Sequence, residues 1–197
     1  MLSHKILKKI HSRKRGWVFC AKNFLDLGPR NTIDKTLSRL ADNNSIIRLV
    51  RGIYYFPIVQ KNIGIIPPDI NLVAKVIADN AGVTIYPFGA SSANLLGISN
   101  QVQAQNIYYT NGKSFTKKIS NRTIYFQHVK IKPLPKTPPL VITILSALNY
   151  LGKNNIDDTV IKKCAKYLND VDKKYLIKMS SHVNGWVASF IPKIISA

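Results

Sequence analysis

The sequence predicts a mixed α+β protein, and three observations support this fold class. Apolar residues recur at helical spacing near the start of the chain and again toward its end. Short runs of β-branched and aromatic residues lie between these segments. Two of the runs are followed by Arg51-Gly52 and Asn111-Gly112, residue pairs that favour tight hairpin turns. We therefore expect helices beside antiparallel strands.

The start of the chain predicts an amphipathic helix with a basic outer side. From Leu2 to about His11, apolar residues recur at helical spacing and lysines occupy the opposite side. A second, brief helix is predicted over residues 21–27, and Gly28-Pro29 is a turn signal that stops it.

A third helix is predicted over residues 32–42, with Thr32 as its N-cap. Its inner face is expected to consist of Ile33, Leu37 and Leu40. Residues 46–50 and 53–56 then predict a hairpin around Arg51-Gly52. The order helix, helix, turn, helix, hairpin is typical of a winged helix-turn-helix domain, which we assign to residues 1–60.

Residues 68–197 predict a second, mixed α+β domain with an antiparallel meander and closing helices. Pro57 and residues 64–68 are expected to form the exit from the first domain and a linker. The predicted helices lie at residues 69–80, 91–96, 140–151, 157–169 and 171–181. The predicted strands lie at 83–86, 107–110 and 122–129, and Trp186 and Phe190 are expected to pack a last turn.

The charge of the chain points to a polyanionic partner. The sequence has 29 Lys and Arg against 9 Asp and no Glu, a net charge of +20. Residues 1–60 hold 12 basic and 3 acidic side chains, a net of +9, so the charge density is highest in the predicted winged helix. Such a field attracts nucleic acid or an anionic surface. The composition of an AT-rich genome is the alternative explanation for the surplus lysine.

Cys20 and Cys164 are the two cysteines, and they are far apart in the sequence. This spacing indicates neither a disulfide framework nor a thiolate zinc site, and it fits a reducing compartment. The opening residues do not resemble a signal peptide, and the most apolar run, residues 140–151, is too short to span a bilayer. We therefore expect a cytoplasmic protein without a membrane partner.

The third helix carries the residue types that read duplex DNA. Arg and Lys suit guanine, Asn suits adenine, and Ser and Thr are adaptable donors. Cations on the hairpin and near the first helix are suited to phosphates. The predicted DNA-binding residues are Arg30, Asn31, Thr32, Lys35, Ser38, Arg39, Arg48 and Arg51, with weaker backbone contacts from Lys5, Lys8, Lys9, Arg13, Lys14 and Arg15.

Two segments of the sequence also resemble a known family. Residues 25–40, Leu-Asp-Leu-Gly-Pro-Arg-Asn-Thr-Ile-Asp-Lys-Thr-Leu-Ser-Arg-Leu, and residues 47–54, Ile-Arg-Leu-Val-Arg-Gly-Ile-Tyr, are similar to the winged helix of AbiEi-type antitoxins and related DUF6088-type regulators. The likeness continues through residues 87–97 and 109–112 and covers roughly residues 1–150.

The resemblance implies a transcriptional autorepressor that acts as the antitoxin of an AbiE-type toxin-antitoxin system. Its partners would be its own operator DNA and a nucleotidyltransferase-like toxin, and the protein could bind DNA as a homodimer. The alternative is a protein-interaction module that neutralises a toxin by direct contact, with incidental DNA binding. An enzyme acting on nucleic acid and a charge-driven RNA-binding protein are further alternatives.

No group of residues predicts catalysis, a metal or a cofactor. Residues 89–93, Gly-Ala-Ser-Ser-Ala, fall one residue short of a nucleophile elbow, and a helix N-cap at Ser91 or Ser92 explains them as well. His4 and His11 could share a helix face but have no further metal-ligand companion. The paired acids are expected to cap helices; they are Asp157, Asp158, Asp170 and Asp172.

Overall fold

The computed structural model describes residues 2–100, 105–128 and 136–197, and over these residues the protein is a mixed α+β protein, as predicted. The helices are α1 (Leu2–His11), α2 (Arg30–Asp42), α3 (Ile70–Ala81), α4 (Gly89–Leu95), α5 (Pro139–Leu151), α6 (Asp158–Ala165), α7 (Asp170–Met179), α8 (Gly185–Ala188) and α9 (Ile191–Ser196). The strands are β1 (Val18–Cys20), β2 (Ile47–Val50), β3 (Ile53–Tyr55), β4 (Ile58–Gln60), β5 (Gly64–Ile66), β6 (Ile85–Pro87), β7 (Asn106–Thr110), β8 (Phe115–Ile119) and β9 (Arg122–His128). Short 3-10 helices cover Ala21–Phe24, Lys153–Asn155 and Ser180–His182.

The chain divides into two compact units. One comprises Met1–Thr84 with Thr116–Ile124, and the other comprises Ile85–Phe115 with Tyr125–Ala197. The domain limits at residues 60 and 68 remain a prediction. No helix within the described ranges is long and apolar enough to cross a membrane.

In the first unit, strands β1, β3 and β2 form a three-stranded sheet in that order. Both pairs are antiparallel, and Tyr54 of β3 lies opposite Phe19 on one side and Arg48 on the other. The predicted hairpin is confirmed: Arg51-Gly52 joins β2 to β3, and Gly52 adopts a φ of 80°, which a residue without a Cβ tolerates best.

Helices α1 and α2 bury their apolar faces together with this sheet. Ile33 and Leu37 of α2 are fully buried in one cluster with Ile6 of α1. Phe19 and Phe24 complete the cluster, with ring centroids 5.5 Å apart and planes at 78°, the edge-on arrangement that aromatic pairs prefer. Burial of these side chains fixes which face of α2 remains outside.

Helix α2 begins earlier than predicted. Its N-cap is Pro29 and not Thr32, because the carbonyl of Pro29 accepts the N–H groups of Thr32 and Ile33 at 3.1 Å. Pro29 has an extended backbone, with φ −62° and ψ 141°, so the helix starts directly after it. The brief helix predicted over residues 21–27 is also shorter, a single 3-10 turn that ends at Phe24.

A small hairpin that was not predicted joins the end of the predicted first domain to the predicted linker at residues 64–68. Strands β4 and β5 pair antiparallel, with Ile58 opposite Ile66. The buried Tyr55 hydroxyl donates to the carbonyl of Ile66 at 2.9 Å and accepts the N–H of Ile58 at 3.3 Å. The Tyr55 hydroxyl thus bonds to both strands at the open end of the hairpin, where Ile58 lies opposite Ile66. This contact explains why residues 58–66 form a hairpin.

Strands β6 to β9 form a four-stranded sheet in the order β6-β7-β9-β8. The predicted strands at 83–86 and 107–110 are present with shifted ends, and Ile85 pairs antiparallel with Thr110. Residue 129, the predicted end of the last strand, lies outside the described residues. The proline-rich segment 133–139 predicts a break before the closing helices, and its residues 133–135 also lie outside the described residues. Strand β8 was not predicted.

The closing helices pack around α5, whose residues 141–148 are all buried. The predicted caps are confirmed in part. Asp157 accepts the N–H of Val160 at 2.8 Å and caps α6, whereas Asn169 and not Asp170 caps α7. Asn169 and Asp172 bond each other's backbone N–H groups reciprocally, the arrangement of a capping box.

Helices α4 and α5 approach each other closely at Gly89. A Cβ built on Gly89 would clash with Cβ of Tyr150 and would lie 3.0 Å from the carbonyl oxygen of Ser146. Helix α4 begins at Gly89 with Phe88 as its N-cap, so the expectation that Ser91 or Ser92 caps this helix is wrong. The close packing requires the small residue at the helix start.

We expect Gly89→Ala to lower the free energy of unfolding by about 2 kcal/mol, because the added methyl group overpacks the contact between α4 and α5. Urea denaturation monitored by circular dichroism measures this change. Gly185→Ala is the matched control, since a Cβ at Gly185 meets no atom within 4 Å among the described residues. Equal stability of the two variants would contradict the packing argument.

Both cysteines are free and buried, and burial raises the pKa of Cys20 and raises that of Cys164 to about 12. The thiolate is the form that reacts with alkylating agents. We therefore expect iodoacetamide at pH 8 to modify Cys164 roughly a thousand times more slowly in the native protein than in denaturant. Mass spectrometry of timed samples measures both rates, and similar rates would show that Cys164 is accessible in the native state.

Candidate nucleic-acid interface

The outer face of α2 carries most of the predicted DNA-reading residues. Ile33, Leu37 and Leu40 are buried on the inner side, so the polar positions between them face outward. Five predicted residues are exposed and Ser38 is half-buried; the exposed ones are Arg30, Asn31, Thr32, Lys35 and Arg39. The structure therefore brings the predicted helix residues together on one surface.

Lys35 and Arg39 lie one helical turn apart on this surface. Within the described part of the chain, neither side chain has a hydrogen-bond or ion-pair partner. In the same helix, the hydroxyl of Thr36 donates to the backbone carbonyl of Thr32 at 2.8 Å, and this bond does not involve the Thr32 side chain. The two cations are thus available to an external anion without the loss of an internal contact.

Arg30, in the first turn of α2, has two partners in the same unit. Its Nε lies 3.5 Å from a carboxylate oxygen of Asp34, one turn along the helix. Its Nη2 donates to the side-chain oxygen of Asn80 in α3 at 3.2 Å. A guanidinium has five N–H donors, so the side chain is held in place and retains further donors for a ligand.

Arg48 and Arg51 lie in the β2–β3 hairpin, which follows α2 in the chain. The Arg48 guanidinium carbon lies 5.7 Å from the ring centroid of Tyr54, its cross-strand partner, and Nη2 lies 3.4 Å from the Tyr54 hydroxyl. The aromatic contact favours one orientation of the guanidinium. Arg51 is exposed at the turn.

The six weaker backbone candidates fall into two groups. Lys5, Lys8 and Lys14 are exposed. The guanidinium carbons of Arg13 and Arg15 lie 5.5 and 4.8 Å from the ring centroids of Trp17 and Phe56, respectively. Arg15 also donates to the carbonyl of Pro57 at 2.9 Å, and Lys9 pairs with Asp26 at 2.7 Å. Arg13 and Arg15 are exposed as well, so the second group differs from the first by its contacts within the unit and not by exposure.

His4 and His11 share one side of α1, as predicted. Together with Leu7 and Lys8 they line a surface concavity of about 430 Å³. The His11 ring packs on Phe56, with centroids 5.4 Å apart. Among the described residues, no group of three or more His, Cys, Asp or Glu side chains could hold a metal ion.

Both serines of residues 89–93 lie within the short helix α4. Ser92 is fully buried, and its hydroxyl donates to the carbonyl of Pro87 at 3.2 Å. Ser91, the other candidate, lies half-buried in the same helix. This geometry assigns Ser92 a role in packing the start of α4.

The sequence was also compared with known proteins. The model of a family of unknown function, DUF6088, matches residues 5–176. The chain belongs to the DUF6088 family. No curated protein matches the sequence of this DUF6088 chain.

Sequence reasoning missed two parts of the unit that contains α2 in this DUF6088 chain. Segment Thr116–Ile124 belongs to that unit and exposes three cations, Lys117, Lys118 and Arg122. The lack of any acidic residue between Asp79 and Asp157 could have drawn attention to them. Asn80 was also missed, and no local pattern could have found it, because it meets Arg30 only through the tertiary fold.

We expect Lys9→Met to raise the pKa of Asp26 toward its ordinary value, because the hydrogen bond from Lys9 lowers that pKa. A carboxyl with a lowered pKa in the folded state stabilises the protein at neutral pH, and this contribution is lost as the pH falls through the lowered pKa. NMR titration of the Asp26 carboxyl measures the change. The neighbouring exposed Lys8→Met is the control, and an unchanged Asp26 pKa in Lys9→Met would contradict the pairing.

Proposed function

We propose that this DUF6088 protein is a transcriptional regulator that binds duplex DNA through a winged helix-turn-helix formed by α1, the 3-10 turn, α2 and the β2–β3 hairpin. The observation that carries the proposal is the row of exposed Arg30, Asn31, Lys35 and Arg39 on a helix whose opposite face is buried. A rigid helix with donors on its outer side matches the width and chemistry of the major groove.

The residues divide into base-reading and phosphate-binding roles. The first turns of a recognition helix contact base edges, so Arg30, Asn31 and Lys35 are proposed to read sequence, with Thr32 and Ser38 as adaptable donors. Arg39 lies further along α2 and is proposed to contact either the flanking phosphates or a base edge. Arg48 and Arg51 would hold the backbone from the hairpin, and exposed Lys5, Lys8 and Lys14 would add phosphate contacts.

The finer proposal is that the protein represses its own operon and is the antitoxin of an AbiE-type pair. Its support is the likeness of residues 25–40 and 47–54 to the winged helix of that family. The proposal includes a nucleotidyltransferase-like toxin as partner, a homodimer on operator DNA, a cytoplasmic location and no enzymatic activity. The net charge of +20 favours association with nucleic acid, whichever of these finer features holds.

The test compares binding to the DNA upstream of its own gene with binding to a scrambled duplex, across a salt series. We expect the native duplex to be preferred. Lys35→Ala and Arg39→Ala should each lower that preference by about 1–3 kcal/mol if the side chain contacts a base, whereas a pure phosphate contact weakens both duplexes equally. The control is Lys174→Ala, which removes the same charge from an exposed position of α7 in the other unit.

Equal binding of both duplexes, abolished together by salt, would show that the basic surface acts only through its charge. A loss in Lys174→Ala as large as that in Lys35→Ala would lead to the same conclusion. Preference for duplex RNA of the same sequence would replace the proposal with RNA binding. Fluorescence anisotropy with labelled duplexes measures all of these quantities.

A further inference from the structure

The end of α3 meets both elements that the proposed function assigns to DNA. The side-chain oxygen of Asn80 accepts a hydrogen bond from Arg30, in the first turn of α2, at 3.2 Å. A Cβ built on Gly52, in the turn between β2 and β3, would lie 3.6 Å from Nδ2 of Asn80, an ordinary packing distance. One half-buried side chain therefore contacts the start of α2 and faces the hairpin turn.

Helix α3 is a firm support for Asn80. Val73, Ala74, Ile77 and Ala78 are buried, and the helix packs against β1 of the three-stranded sheet. Lys22 donates to the carbonyl of Asp79 at 2.6 Å, which ties the last turn of α3 to the 3-10 turn before α2. Side chains mounted on a rigid element hold their partners more accurately than side chains on a loop.

Arg30 gains from such a support because its side chain is long and its proposed task is directional. A free arginine loses rotamer freedom when it binds, and this loss weakens affinity. Arg30 is oriented from two sides, by Asp34 within α2 and by Asn80 from α3. The two contacts use part of the donor set, so the remaining N–H groups can meet a base or a phosphate.

We propose that Asn80 is a positioning residue for sequence recognition, which orients Arg30 at the start of the DNA-reading helix. This inference rests on the proposed function and extends the DNA-reading unit beyond residue 60 to the end of α3. A contact between two partly exposed polar side chains contributes little to folding stability. We therefore expect its loss to change DNA recognition and to leave the unfolding temperature nearly unchanged.

The experiment is a double-mutant cycle in the full chain with Arg30→Ala, Asn80→Ala and both together. Each protein is titrated with the upstream duplex and the scrambled duplex, and its unfolding temperature is measured. We expect Asn80→Ala to lower the preference for the upstream duplex at least about fivefold, a substantial part of a base contact. In the Arg30→Ala background, the same substitution should change nothing further. Asn62→Ala, an exposed position in the β4–β5 turn, is the control.

A second variant guards against a general loss of structure. Asn80→Asp keeps the oxygen that accepts from Arg30 but adds a negative charge, so we expect weaker binding to both duplexes with the preference retained. Loss of preference equal to that of Asn80→Ala overturns the inference, as does an unchanged preference in Asn80→Ala.

The remaining outcomes separate this inference from the proposed function. Independent, multiplying effects of Arg30→Ala and Asn80→Ala would assign Asn80 a role that does not pass through Arg30, such as its own contact with DNA, and would overturn positioning alone. A native protein that does not distinguish the two duplexes would refute the proposed function, and the inference would fall with it.

Discussion

The burial of the inner face of α2 is the constraint on which the candidate interface depends. Ile33 and Leu37 are fully buried in the cluster that contains Phe19 and Phe24. Full burial of an aliphatic side chain contributes about 1.5–3 kcal/mol, so rotation of α2 about its axis would be costly. Because the rotation is fixed, the polar residues between the apolar ones stand on one outward surface. The hydrophobic effect therefore decides the orientation of a surface whose own chemistry is electrostatic.

The many cations of the first unit differ in what they can do. Lys9 forms an ion pair with Asp26, whereas Arg13 and Arg15 lie over the rings of Trp17 and Phe56 and keep their charge exposed. Lys35 and Arg39 project from α2 as exposed side chains. The net charge of the unit counts all of these cations equally. A cation that is already paired with a carboxylate, such as Lys9, gains less binding free energy from a phosphate than an unpaired one.

Support for the candidate interface comes from a wider part of the chain than the elements that carry it. Helix α3 follows the hairpin β4–β5, yet its last turn contacts Arg30 and Lys22. Segment Thr116–Ile124, from much later in the chain, belongs to the same compact unit. Membership of the DUF6088 family over residues 5–176 fits this picture, because the family match extends well past the predicted winged helix.

The sequence alone determined the fold class, the hairpin around Arg51-Gly52 and the outward residues of α2. These follow from local rules: the spacing of apolar residues, the turn preference of glycine, and the stop at Gly28-Pro29. Tertiary structure decided the hydrogen bond of the Tyr55 hydroxyl to Ile66 in β5 and the contact of Arg30 with Asn80. Both contacts join residues that are distant in the sequence, and no local pattern encodes which distant partner a side chain will meet.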